Sequence, residues 1–259
     1  MVEVLAATGA DTFGLGYGVA LLAFALSVLG ALVAFACARH ARYSVRFRVL
    51  WLTVAAVSLG GVGVWLANSV ALLGLQVPDA PMRYTAALGA SALAIAVVAV
   101  FAGLLITGRD PQLPRVIIGG LVMGLGTGLS TYLTLDALAV RGTIDQSLPL
   151  IGAAVLISMV VCTAILQAFH LVRRAWLRPV VAVLFACGVA AVYYTAITAL
   201  SFEVDPGHRM PAGFTLFELV FPMLVLGALG LTVPITAVLV APDRRDLAQQ
   251  HRQVPVASR

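Results

Sequence analysis

GVGVWLANSVALLGL (61–75), GLGTGLSTYLTLDAL (124–138) and ACGVAAVYYTAITAL (186–200) are the ends of three long apolar runs, and they resemble one another. With Asn68, Thr131 and Tyr193 taken as equivalent, the steps are 131 − 68 = 63 and 193 − 131 = 62 residues. A glycine lies five residues earlier each time, at Gly63, Gly126 and Gly188. Repetition at a fixed period marks a repeated structural unit. Each step holds two apolar runs, so the unit is a pair of helices, present three times. Small residues at such spacings let helix backbones approach closely in lipid, where packing drives association.

Outward from these ends, the rest of the chain has the same character. Of 259 residues, 61% are hydrophobic and 10% charged, against roughly 25% charged in an ordinary soluble domain. The apolar runs reach about 20 residues or more, the length a helix needs to cross the hydrocarbon core, whereas an outer-membrane barrel is written in short alternating segments. Helices are predicted at about 14–38, 49–75, 85–107, 116–139, 148–172, 180–200 and 212–241. The fold class is therefore all-α: a polytopic membrane protein with seven transmembrane helices. It reads as a single domain over 1–241, with repeats at about 14–75, 85–139 and 148–200, an extra helix at 212–241, and a polar tail at 242–259.

The first run follows Glu3 and Asp11 rather than a basic region and is too long for the core of a signal peptide, so it is expected to stay in the mature chain. Cys37, Cys162 and Cys187 are odd in number, lie inside or at the end of apolar runs and lack metal-type spacing, which excludes a disulfide framework.

All 16 basic residues are arginines. Arg39, Arg42, Arg46, Arg48, Arg109, Arg115, Arg173, Arg174, Arg178, Arg244, Arg245, Arg252 and Arg259 fall on one side of the predicted spans, and Arg83, Arg141 and Arg209 on the other. The positive-inside rule makes the first side cytoplasmic, with the N-terminus outside and the C-terminus in the cytoplasm. Topology thus accounts for the net charge of +5, and nucleic acid is not expected as a partner. The tail is too short to bury a core, so no catalytic or output domain is expected after the last helix.

The repeated ends resemble the MHYT domain, a bacterial membrane domain of three two-helix repeats whose even helices end outside in Met-His-Tyr-Thr-like motifs. The resemblance covers about 14–205, with the last helix as the family's usual extra span. In the first repeat Trp65 and Pro78 match, while Ala67, Asn68 and Leu72 stand where the family writes methionine, histidine and methionine. In the second, Gly124, Gly126 and Tyr132 match, and Ser130, Thr131 and Leu135 replace the ligand-type residues. In the third, Tyr194-Thr195 is intact, with Val192, Tyr193 and Ile197 at the Met, His and Met positions. The resemblance implies copper held by Met and His near the outer face. Soft thioether and imidazole donors suit Cu(I), whereas amide, hydroxyl, phenol and alkyl groups do not. The chain is identified as a degenerate member, and copper is not expected at the family site.

Asp136 and Glu218 lie near the outer ends of helices 4 and 7, where solvation and snorkelling lower their cost, and ionisable groups in membrane helices are functional candidates by default. If the repeats gather around one axis, Asn68, Thr131, Tyr132, Asp136, Tyr193, Tyr194, Thr195 and Glu218 line a polar pocket near the outside. Trp65, Tyr193 and Tyr194 equally suit anchoring at the membrane interface. His208 and Met210, with Met82, form the only soft-donor cluster on the outer side and are weak metal candidates by ligand count. Pro222 and Pro234 interrupt helix 7, where a kink is expected. No phosphate-cradling loop, Ser-His-Asp set, paired-Cys motif or H-E-x-x-H helix is written, so enzymatic activity is not expected.

The reading is a multi-pass cell-membrane protein, surrounded by membrane lipids, that senses something at its outer side and works through an unidentified membrane or cytoplasmic protein partner. The alternatives are a small transporter coupled by Asp136 and Glu218, and a membrane structural or assembly factor.

Overall fold

The computed structural model describes residues 3–6, 16–44, 46–75, 82–109, 112–140, 142–171, 175–204 and 213–240. Seven helices run through them: helix 1 (Tyr17–Tyr43), helix 2 (Arg48–Gly74), helix 3 (Ala86–Thr107), helix 4 (Leu113–Asp136), helix 5 (Leu148–Leu171), helix 6 (Arg178–Thr198) and helix 7 (Leu216–Val240). All seven are long and apolar enough to cross a membrane.

The ends follow local chemistry. Gly16, at φ 85°, breaks the chain just before Tyr17, so helix 1 begins later than the hydropathy alone predicts. It then runs on to Tyr43 through Arg39, His40 and Arg42, because long basic side chains carry their heads to the polar boundary while the backbone stays helical. Helices 4 and 6 have proline in their first turn, where the missing N–H goes unused. Pro222 and Pro234 both lie within one continuous helix 7.

Helices 1 to 6 pack in chain order into a closed ring, each against the next and helix 6 back against helix 1; helix 7 lies outside, against helices 1 and 2. Even and odd spans differ in depth. Within their apolar stretches 67%, 50% and 56% of residues are buried in helices 2, 4 and 6, against 39%, 28% and 22% in helices 1, 3 and 5. The even helices therefore form the inner layer. Glycine permits the closest crossings: a Cβ on Gly124 would run into the backbone of Met159 on helix 5. Of the repeat glycines, Gly126 and Gly188 sit tightly against Ala99 and Val161, whereas Gly63 has room for a methyl group.

Helix 2 carries a feature the apolar pattern does not announce. From Val57 to Leu66 it is a π-helix of ten residues, a form normally seen as single-turn bulges at functional sites. The widened turn ends one residue before Ala67 and Asn68.

A second feature is β structure at one end of the bundle. Five short strands, β1 (Glu3–Ala6), β2 (Arg83–Tyr84), β3 (Leu138–Ala139), β4 (Gly142–Gln146) and β5 (Leu200–Val204), join the connections there. One antiparallel sheet has the order β1-β5-β4, and β2 pairs with β3. Tyr84 ties this cap together: it opposes Leu138, bridges to Phe214 by two backbone hydrogen bonds of 2.9 and 3.2 Å, and is only 1% exposed. Met82 is half-buried in the cluster around it. The all-α expectation of seven spans holds, and the structure adds a small β cap to it, because short extended connections between long spans pair with one another to satisfy their backbone groups.

Candidate functional site

The repeat alignment brings two of its three equivalent residues into direct contact. Asn68 on helix 2 donates its side-chain amide to Thr131 Oγ1 on helix 4 at 2.9 Å, and both are buried. Thr131 passes its own proton to the Thr127 carbonyl at 3.0 Å. One turn deeper, Thr127 Oγ1 lies 2.9 Å from Ser158 Oγ and 3.5 Å from Cys162 Sγ of helix 5. Ser130 on the adjoining face donates to the Ala92 carbonyl of helix 3 at 2.7 Å. A hydroxyl-rich seam thus runs down the inner face of helix 4. Such hydrogen bonds hold membrane helices in register with modest individual energies.

Beside this seam, helices 1, 2 and 6 line a partly open cavity of about 190 Å³. Its apolar wall is mostly alanine with Phe24 and Val189, and its polar groups belong to Ser27, Asn68, Tyr193 and Tyr194. Tyr193 is 3% exposed, and its ring meets that of Tyr194 edge-on at 5.3 Å. The hydroxyls of Ser27 and Tyr193 are buried and have no hydrogen-bond partner among the described residues. Buried hydroxyls are ordinarily paired, and an unpaired one asks for an explanation. Ser27 is not marked by the repeat, because nothing on helix 1 repeats; its signal in the sequence is a lone serine in an otherwise apolar stretch.

The eight residues expected in one outer pocket separate in the structure. Asn68, Thr131, Tyr193 and Tyr194 gather on the inner side, with Asn68, Tyr193 and Tyr194 on the cavity wall. Tyr132 faces a different side of helix 4, in a small apolar gap toward helices 5 and 6. Thr195 is half-buried and away from the cavity. Asp136 accepts a hydrogen bond from Gln146 Nε2 of β4 at 3.0 Å. Glu218 is exposed and closes the start of helix 7: its carboxylate accepts the Thr215 N–H at 2.9 Å while Thr215 Oγ1 accepts the Glu218 N–H at 3.4 Å. This is a capping box, Thr-x-x-Glu, legible in the sequence as Thr215-Leu216-Phe217-Glu218. The reason for the separation is angular. Successive helix residues point about 100° apart, so Tyr132 cannot share Thr131's face, nor Thr195 that of Tyr194.

Trp65 and Tyr193 are buried in the bundle, at 7% and 3% exposure, rather than displayed as interfacial anchors. His208 and Met210 lie outside the described residues. Asn68, Thr131 and Tyr193, at the positions of the family's histidines, present an amide already committed as a donor, a hydroxyl already paired, and a phenol. This donor set does not fit Cu(I).

No curated protein and no solved structure matches the chain. Residues 61–120 match the family model MHYT, described as a bacterial signalling protein N-terminal repeat; the matched stretch, from the π segment of helix 2 through helix 3 into helix 4, is similar to such a repeat.

Proposed function

We propose that this multi-pass membrane chain is a sensory module whose signal is occupancy of the cavity between helices 1, 2 and 6. The carrying observation is that two buried hydroxyls without a partner among the described residues, those of Ser27 and Tyr193, belong to residues lining one cleft. They would donate to an acceptor on a small, mainly apolar ligand. An apolar cavity of roughly 150 Å³ holds benzene, so about 190 Å³ suits an aromatic ketone or a molecule of similar size. Copper has no part in this reading, since the donor chemistry is wrong for it, and neither has catalysis.

The family match to a signalling-protein repeat and the seven apolar spans support a membrane sensory or signalling role. On the positive-inside rule the cavity lies toward the outside, and the arginine-rich end meets a protein partner in or under the membrane. The π segment adjoins the cavity through Ala67 and Asn68, so a return of that stretch to α geometry on binding would turn the start of helix 2 relative to its end. Transport coupled by Asp136 and Glu218 loses its geometric footing, because one carboxylate is bonded to the β cap and the other caps a helix.

The test is thermal unfolding of the purified protein in detergent with acetophenone as probe. Stabilisation that saturates with concentration is expected for the wild type, reduced in Tyr193→Phe and abolished in Ala190→Phe, which fills the space. Equal stabilisation of all three proteins, or none of any, rejects the cavity as a binding site.

A further inference from the structure

The arginine-rich end of the bundle has a notch of its own, far from the cavity and built by helices 1, 2, 3 and 5. Arg42, Arg48, Thr107, Gly108, Phe169 and His170 line it. Its inner wall is rigidly packed. The Arg42 guanidinium lies over the Phe169 ring, 5.3 Å from its centroid; Phe169 stacks on Phe35 at 5.0 Å and meets the His170 ring at 5.5 Å.

The wall is short of acceptors. Arg42 Nη2 and both ring nitrogens of His170 are buried without a hydrogen-bond partner among the described residues. Arginine has only donors, and histidine offers at least one N–H in either tautomer. A buried cation ordinarily has an anionic partner. The carboxylates of Asp136, Asp145 and Glu218 belong to the β-capped end. Among the described residues, none is available to Arg42.

Size and surroundings narrow the missing partner. The notch measures about 20 Å³, room for about one oxygen-sized atom, so the ligand inserts a single oxygen and keeps its body outside. Tyr43, Val49 and Leu171, next in sequence to Arg42, Arg48 and His170, are 63%, 61% and 69% exposed, large side chains suited to the boundary between acyl chains and headgroups. A planar guanidinium matches phosphate oxygens well.

We propose that this notch seats one oxygen of an anionic phosphate group, with Arg42 and His170 donating from inside and Arg48 at the rim. The group belongs either to a phospholipid headgroup or to a free phosphate; the site is the same.

The test is native mass spectrometry of the full-length protein released from detergent micelles, with phosphatidylglycerol, phosphatidylcholine or inorganic phosphate added in separate arms. Retention of one phosphatidylglycerol, not displaced by inorganic phosphate, identifies a headgroup. Displacement by inorganic phosphate identifies the phosphate itself as the recognised unit. In either case affinity falls at least tenfold in Arg42→Gln and several-fold in Arg48→Gln, and is unchanged in Arg178→Gln, at the same end but on helix 6, which does not line the notch. Should Arg42→Gln fail to fold, Arg48→Gln and His170→Gln carry the comparison. Equal retention of phosphatidylcholine, no retention of either lipid or phosphate, or an equal loss in Arg178→Gln overturns the proposal. Ala190→Phe, which fills the cavity near the β cap, leaves this binding intact, so the two sites fail separately.

Discussion

The two ends of the bundle are finished by opposite means. At one, the connections pair into strands, Tyr84 joins β2 to β3 and to Phe214, and two carboxylates are consumed internally, Asp136 by Gln146 and Glu218 by the helix 7 start. At the other, Arg109 reaches the Ser44 carbonyl at 3.1 Å, but Arg42 and His170 keep buried nitrogens without acceptors. The first end is closed by its own backbone; the second leaves these nitrogens without acceptors among the described residues. A ligand cavity fits beside a closed, rigid cap, and an interaction surface fits an end that still has donors to satisfy.

The sharpest way to break this contrast is at Tyr84. Removing a fully buried aromatic ring costs about 3–5 kcal/mol, so Tyr84→Ala is expected to lower the unfolding midpoint strongly, whereas Arg46→Ala at the other end changes stability by less than about 0.5 kcal/mol. Equal losses would mean that the β cap does not hold the bundle. Burial also pushes the Tyr84 phenol from its ordinary 10.0 up to about 12. The folded protein therefore holds this proton more tightly than the unfolded chain. The resulting stability is complete below pH 10 and is lost as pH rises toward 12. Unfolding at pH 9 and pH 11.5 is expected to show that loss in the wild type and not in Tyr84→Phe.

Packing along the shafts sets the next effect. Gly124→Ala drives a methyl group into the Met159 backbone, and overpacking of this kind costs about 1–3 kcal/mol. Gly152→Ala points into open space and is expected to be neutral or to gain up to about 1 kcal/mol from helix propensity. Denaturant unfolding of the pair separates a true close crossing from a general dislike of alanine.

At the start of helix 7, Thr215→Ala removes the capping hydroxyl and should cost about 1 kcal/mol. Because only 17% of that helix's apolar stretch is buried, the loss should appear as faster amide exchange in its first turns before any change in the global midpoint. Uniform exchange along the helix would argue that the cap is not what holds it.

Much of this architecture is written in the sequence, and the rest is hidden for definite reasons. The seven spans follow from run length, since only helices of that length satisfy the backbone in lipid. The Asn68–Thr131 contact joins two positions that the 63-residue spacing takes as equivalent. The polar pocket of eight residues does not follow, because equal depth is not equal direction: Tyr132 and Thr195 share a level with the cavity but not a face. The strands escape notice because LSFEV and GTIDQ are brief extended segments between long apolar runs. Glu218 was readable as a cap through Thr215-x-x-Glu218, but a search for intramembrane charge sees only the carboxylate. No local signature separates the π segment from an α-helix; glycines at 60, 61 and 63 permit it without requiring it.

The smallest effect is the most informative about the cavity. Interhelical side-chain hydrogen bonds in membranes average about 0.6 kcal/mol and reach about 1.7, so a double-mutant cycle of Asn68→Ala with Thr131→Val should give a coupling in that range. Asn68 is both a partner of Thr131 and part of the cavity wall, so the single Asn68→Ala change enlarges the cavity while leaving Thr131 its carbonyl bond to Thr127. If the cavity binds a ligand through Ser27 and Tyr193, acetophenone should still stabilise Asn68→Ala, and Thr131→Val should scarcely alter that response. If Thr131→Val abolishes it, the hydroxyl seam rather than the pair of free hydroxyls is the recognising element. The site would then lie between helices 2 and 4, not between helices 1 and 6.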